Sequence, residues 1–408
     1  MYILICKLYT MLFIFLVAFI IFITMTFIIK IMSIMIQHFG YSQNNLDIGI
    51  NMNYHMQNKN SVVLQKYGHL LNLPQHTQCV TLFEGNTPLI PLPRLVNELG
   101  GGFEFYVKYE GLNPTGSFKD RGMTAAISET LGAGSKAVIC ASTGNTAASA
   151  AAYAARAGLN AYVLIPQGKV AVGKLAGAIA YGAKVIQIEG SFDDALTLVI
   201  QLSQSHPIAL VNSINPYRLE GQKTAAFEIC DTLEKSPDWL CLPVGNAGNI
   251  TSYWMGFKQY DELMGCGLPR ILGVQASGAA PLVVGHPIDH PETIATAIRI
   301  GKPARGEQAL QAAEESHGKI IAVSDQEILS AQKRLAQEGI WVEPASAAGL
   351  AGFLKEVKIG NMELSGKRIV AICTGHGLKD PDSVTHHMPL PEIIPPDIHI
   401  LEKTILGQ

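Results

Sequence analysis

From about Ser61 onward, short uninterrupted apolar runs alternate with helical segments, and this alternation limits the fold more than any other feature of the 408-residue chain. The runs are "KAVICAS" at 136–142, "NAYVLIP" at 160–166, "AKVIQIEG" at 183–190, "PIALVNS" at 207–213, "DWLCLPV" at 238–244, "RILGVQA" at 270–276 and "KRIVAICTG" at 367–375. A strand that is apolar on both faces has to be covered on both faces. A helix after each strand provides that cover and returns the chain to start the next strand in parallel. The expected fold class is therefore α/β with parallel, doubly wound sheets, whose ligands bind where strands end.

Composition narrows the function. Charged residues make up 15 % and hydrophobic ones 48 %, the net charge is −3, and no basic tract occurs. A nucleic-acid partner, whose phosphates require clustered Lys and Arg, is excluded on that ground. Seven scattered cysteines without a CxxC pair suggest neither a zinc site nor a disulfide framework. Such a core suits a reducing, cytoplasmic compartment.

The N-terminal 60 residues read differently. Lys7 and Lys30 bracket 22 uncharged, mostly apolar residues, 8–29, close to the ~20 needed to cross a bilayer. Two readings stand. In one, an apolar helix over about 8–36 anchors the chain and touches a membrane. In the other, translation begins later, at Met52 or Met56. A polar, Asn-rich linker follows in either case. The Pro-rich segment "PLPEIIPPDIHI" opens an extended tail over 391–408.

The informative residues stand at strand ends and helix starts. In "PVGNAGNIT", a strand runs into Gly245, Asn246, Ala247, Gly248 and Asn249 before a helix. Small residues expose backbone N–H groups there, and the helix start adds about half a positive charge, so the loop suits a phosphate. The alternative is a tight turn that needs glycine for backbone reasons. In "NPTGSFKDRG", Ser117 and Asp120 have capping-box spacing, which puts Lys119 near the second helical position. An ammonium group is disfavoured at that end of a helix, so its pKa should fall, and a neutral amine attacks carbonyls. The alternative is a solvent-facing lysine. In "CASTGNTAAS", Ser142, Thr143, Asn145 and Thr146 crowd one turn, suiting a carboxylate, with Asn145 also able to bond a phenolic oxygen. Ordinary capping needs only one such residue. In "ICTGHG", the Thr374 hydroxyl ends a strand and suits a neutral ring nitrogen, while His376 has no second histidine at metal-binding spacing. An amine for an aldehyde, a cradle for a phosphate, and partners for a ring oxygen and nitrogen together describe pyridoxal 5′-phosphate.

The chain from about Ser61 to Asp382 resembles the threonine synthases of the shorter bacterial kind. The resemblance rests on "EGNTPLI" at 84–90, "EGLNPTGSFKDRGM" at 110–123, "CASTGNTAASAAAYAARAG" at 140–158, "VNSINPYRLEGQKTAAFEIC" at 211–230, "PVGNAGNITSYW" at 243–254, "HPETIATAIRIG" at 290–301, "VEPASAA" at 342–348 and "TGHGLKDPD" at 374–382. It implies a tryptophan synthase β-like scaffold with the cofactor cleft between two domains. The larger would comprise 61–99 and 216–390, the smaller 100–215. It also implies that Lys119 is the Schiff-base lysine, that Asn145 faces the phenolic oxygen, that Gly245 through Asn249 hold the cofactor phosphate and that Thr374 faces the pyridine nitrogen. Ser142, Thr143 and Thr146 would take the substrate carboxylate; Ser213, Arg218 and Asn246 would take the phosphate of O-phospho-L-homoserine. The implied assembly is a homodimer. Alternatives are a threonine or serine dehydratase on the same scaffold and a non-catalytic amino-acid-binding protein. His376 departs from the resemblance, since Asn is frequent at that position.

Overall fold

The computed structural model describes residues 62–168, 172–385 and 392–407. Ten strands form two sheets. In chain order the strands are β1 (Leu89–Pro91), β2 (Glu104–Tyr109), β3 (Ala137–Ala141), β4 (Asn160–Pro166), β5 (Lys184–Ile188), β6 (Ile208–Leu210), β7 (Trp239–Pro243), β8 (Arg270–Ala276), β9 (Lys319–Val323) and β10 (Arg368–Cys373). One sheet has the order β1-β2-β10-β7-β8-β9 and the other β5-β4-β3-β6. All neighbours are parallel except β1, which runs antiparallel to β2 and ends on Pro91. Proline has no N–H to give a further strand, so it belongs on such an edge. The expectation of parallel sheets thus holds with one antiparallel edge strand.

The apolar runs became strands for the reason given above. β3, β7 and all but the first residue of β10 are buried, and helices cover the sheets. The helix Pro344–Lys358 packs on β7, β8, β9 and β10. Its Phe353 ring lies 4.7 Å from that of Phe105 on β2. In the smaller sheet the Ala-rich helix Asn145–Ala157 brings Ala147, Ala150, Ala151 and Tyr153 into one core with Val138, Cys140, Val163 and Ile165.

Strand 104–109 pairs within the six-stranded sheet, between β1 and β10. One sequence expectation needs correction here. In the C-terminal segment, Ile398–Leu406 is a helix and not an extended chain, because Asp397 caps it, accepting from the backbone N–H of His399 and Ile400. The apolar stretch 8–36 lies outside the described residues. Among those that are described, no helix is long and apolar enough to cross a membrane.

One buried ion cluster joins the elements that lead to the site. Arg121, on the helix Lys119–Gly132, donates through Nε to Glu110 Oε2 at 2.7 Å and through Nη2 to Glu228 Oε2 at 2.7 Å. Lys108 on β2 reaches the same Glu228 oxygen at 2.7 Å. Burial alone would raise the Glu228 carboxyl, but Arg121 and Lys108 hold it well below the usual carboxylate range. Gly85 of "EGNTP" makes room, since a Cβ there would meet Glu228 Oε1 at 3.0 Å. Removing one partner of a buried ion group leaves an uncompensated charge, at a cost of about 3–5 kcal/mol. Arg121→Leu is therefore expected to lower stability by about that amount, read as a lower urea midpoint with little change in slope.

Candidate active site

The helix carrying Lys119 begins where two loops are zipped together. Phe118 N–H donates to Thr374 O at 2.9 Å and His376 N–H to Gly116 O at 2.9 Å. Gly116 adopts φ +83° to allow this. The zipper sets Lys119 beside Thr374, at the end of β10. The capping-box expectation is corrected: Phe118 occupies the cap position with no side-chain cap, and Lys119 is the first helical residue. Asp120 is drawn elsewhere. Its carboxylate accepts from Thr115 N–H at 2.7 Å, Thr115 Oγ1 at 2.6 Å and Ser149 Oγ at 2.6 Å. Burial pushes it up to about 6 against those bonds. Through Ser149 it ties the Lys119 helix to the helix that starts at Asn145.

That second start follows β3. Asn212 extends the β3 edge, exchanging two bonds of 2.9–3.0 Å with the Ala141 backbone. The chain then turns at Gly144, and no side chain caps the helix. Ser142, Thr143, Asn145 and Thr146 thus line the cavity in place of capping. The Asn145 amide donates to Glu343 Oε1 at 3.0 Å and Oε2 at 3.2 Å.

The third wall follows β7. Gly245 is tightly enclosed, since a Cβ there would lie 3.0 Å from Ile298 Cα. Ala247, at φ +63°, holds a left-handed conformation unusual for a residue with a side chain, and the 17-residue helix Gly248–Met264 follows it directly. The Asn249 Nδ2 atom is buried with no partner among the described residues. A helix start, exposed backbone amides and an unpartnered buried donor together suit a phosphate.

The residues that the sequence assigns to cofactor and substrate converge on one cavity of about 410 Å³: Lys119, Ser142, Thr143, Asn145, Thr146, Ser213, Arg218, Gly245, Asn246, Ala247, Gly248, Asn249 and Thr374. Burial first, then the Arg218 charge, lowers the Lys119 amine to about 7, with Glu343 opposing. The fall was expected, but its cause is burial and a neighbouring cation. Arg218 is buried on the helix Pro216–Leu233. Its Nη1 donates to Val211 O at 3.2 Å, and its Nε and Nη2 have no partner among the described residues. Asn246 Nδ2 donates to Ser213 Oγ at 3.0 Å. Thr374 Oγ1 lies 2.8 Å from Ser346 Oγ. His376 does not line this cavity. It faces an adjoining surface cleft with Leu112 and Leu378 and stacks on Tyr109.

Sequence reading missed Glu343, Lys379, Arg299 and Gln222, which also line the cavity. All four lay inside motifs given above: "VEPASAA", "TGHGLKDPD", "HPETIATAIRIG" and "VNSINPYRLEGQKTAAFEIC". A charged residue at a strand-end motif was the available signal.

A cavity at the strand ends of parallel sheets, holding a near-neutral lysine opposite a phosphate cradle, defines a class of α/β enzyme that works through an aldehyde cofactor. Comparison with known proteins agrees: the "Pyridoxal-phosphate dependent enzyme" family matches residues 80–375, and the chain belongs to that family. It is 57 % identical over 347 residues to the threonine synthase of Synechocystis sp., covering 84 % of this chain and 90 % of that protein. It is 50 % identical over 359 residues to the threonine synthase of Methanocaldococcus jannaschii, covering 85 % and 88 %. Maize serine racemase shares the fold, with a TM-score of 0.62 at 22 % identity over 79 % of this chain and 92 % of that one.

The residues present fit the cofactor: an amine near neutrality for its aldehyde and a buried unpartnered donor in the loop suited to its phosphate. Because the amine titrates at about 7, its reactive neutral fraction falls about tenfold per pH unit below that point. Cofactor-free protein is therefore expected to take up pyridoxal phosphate at a rate that climbs to about pH 7 and levels above it, followed by visible absorbance.

Proposed function

We propose that this protein converts O-phospho-L-homoserine and water to L-threonine and phosphate, the threonine synthase reaction, by γ-elimination and β-addition. One observation carries the choice of a phosphorylated substrate. Among the described residues, the buried Arg218 guanidinium has no partner for its Nε and Nη2 donors, which lie in the Lys119 cavity beside the hydrogen-bonded Ser213 and Asn246 pair. An unpaired buried guanidinium is costly, and a phosphate dianion is the partner that its planar fork fits best. The names of the relatives point to the same reaction.

When bound, pyridoxal phosphate supplies an electron sink for negative charge on the substrate's carbon atoms. Lys119 is the amine that holds its aldehyde carbon. Gly245 through Asn249 receive its phosphate at the start of the helix Gly248–Met264. Asn145 would serve the ring's oxygen and the Thr374 hydroxyl the ring nitrogen. Lys119 would also be a base poised near neutral pH, able to move protons at the substrate's Cα and at the carbons beyond it. Ser142, Thr143 and Thr146 orient the substrate carboxylate at the start of the helix Asn145–Ala157. Arg218, with Ser213 and Asn246, binds the substrate's phosphate and stabilises it as it departs from Cγ. Water then adds at Cβ.

In this reading the segments 61–99 and 216–390 form the cofactor side and 100–215 the substrate side, with strand 104–109 adding to the cofactor-side sheet. The protein works as a homodimer in the cytoplasm. Residues 8–29 bring it to a membrane only where translation begins at Met1.

Lys119→Ala is expected to abolish both the cofactor's visible absorbance and turnover; full activity in that variant would refute the reading. Arg218→Gln is expected to keep the absorbance and to lose about 100-fold in kcat/KM for phosphohomoserine, measured by phosphate release. A keto-acid assay with threonine as substrate separates this reaction from dehydration.

A further inference from the structure

Among the described residues, the cavity is lined by one carboxylate, Glu343, against the cationic side chains Lys119, Arg218, Arg299 and Lys379. Glu343 is buried at the cap position of the helix Pro344–Lys358, where a polar side chain ordinarily bonds the first amides of its own helix. It makes no such bond. Its side chain turns instead to the cavity, where both oxygens accept from the Asn145 amide. The turn after β10 is shaped around it. A Cβ on Gly375 would lie 2.5 Å from Glu343 Oε1, so the first glycine of "TGHG" vacates the space that the carboxylate fills.

We infer that Glu343 is a positioning residue for the reaction: its carboxylate holds the Asn145 amide at the cavity wall and sets a fixed negative charge near the amine of Lys119. This rests on Lys119 being the amine that holds the cofactor. Burying a carboxylate is costly, and the cost is offset where its charge faces cations. Here Glu343 opposes the surplus of cations around Lys119. Burial and Arg218 drive the amine down, and Glu343 acts in the other direction. It acts likewise on Lys379, whose Nζ donates to Thr115 O at 2.7 Å. Among the described residues, the other charged or titratable groups facing this pair are Asp120 on the Lys119 helix, Arg299 at the cavity rim, Cys140 on β3 and Arg305 against Arg218, and His376 beyond Lys379.

Two variants of the holoenzyme separate charge from geometry. In Glu343→Gln an amide oxygen still accepts from Asn145 while the charge is lost. In Glu343→Ala both are lost. Glu343→Gln is expected to keep the cofactor's visible absorbance and a KM within about threefold, and to move the acidic limb of the kcat profile down by about one pH unit, because removing a nearby anion makes the ammonium easier to deprotonate. Glu343→Ala is expected to lose a further tenfold or so in kcat, and Asn145→Ala should cost less in that background than it costs in the parent enzyme. An acidic limb unmoved in Glu343→Gln overturns the inference, and that variant decides alone if Glu343→Ala fails to fold. Failure of the underlying reading looks different: Lys119→Ala would then keep its visible absorbance, whatever the Glu343 variants do.

Discussion

The guanidinium of Arg121, clamped between two carboxylates in the dry interior, is the interaction on which the site depends. Glu110 opens the turn after β2, and Glu228 lies on the helix Pro216–Leu233. Arg121 follows Lys119 by two positions on the first turn of its helix. A fork–fork pair has little angular freedom, so clamping Arg121 on both sides fixes the direction in which that helix sets out, and with it the position of the amine. The Glu228 helix also carries Arg218, so the same cluster registers the nucleophile against the cation opposite it. A neutral apolar substitute would fill the volume, but it would not define an angle.

The electrostatics of the cavity follow from its cargo. Cofactor and substrate each bring a phosphate, and the described walls carry four basic side chains: Lys119, Arg218, Arg299 and Lys379. With most of water's screening removed, these charges act strongly on one another. Burial first, and then the Arg218 charge, brings Lys119 down to about 7, while Arg218, lowered mainly by burial to about 10, stays charged at neutral pH. The cavity thus contains one base able to shuttle protons and one cation that holds its charge throughout. Two residues of similar sign are divided into two tasks by side-chain chemistry and surroundings.

Much of this was legible in the sequence because the fold repeats a simple pattern. The limits of "NAYVLIP" and "RILGVQA" coincide with strands β4 and β8, since a buried parallel strand is little more than its apolar run. The loops at 142–146 and 245–249 stood out because small and hydroxyl residues gather where backbone must approach a ligand. β1, β2 and β9 escaped notice: β1 has only three residues, Lys108 interrupts the apolar run of β2, and β9 is a five-residue run that is only partly buried over its first four positions. The capping box failed for a physical reason. Asp120 had the right spacing, but Thr115 and Ser149 offered its carboxylate better partners, one of them 29 residues away. Glu343 was invisible for a related reason, because its meaning depends on Asn145, 198 positions earlier. Rules of local spacing see neither partner.

The cavity wall is assembled from the ends of β3 and β6 in one sheet and of β7 and β10 in the other. Anything bound there touches both layers, so occupancy and folding are thermodynamically linked. A ligand at 100 times its dissociation constant adds about 2.7 kcal/mol to the native state. The melting temperature of this protein is thereby a gauge of how much vitamin B6 its surroundings supply, and a starved cell would contain not merely an idle enzyme but a more perishable one.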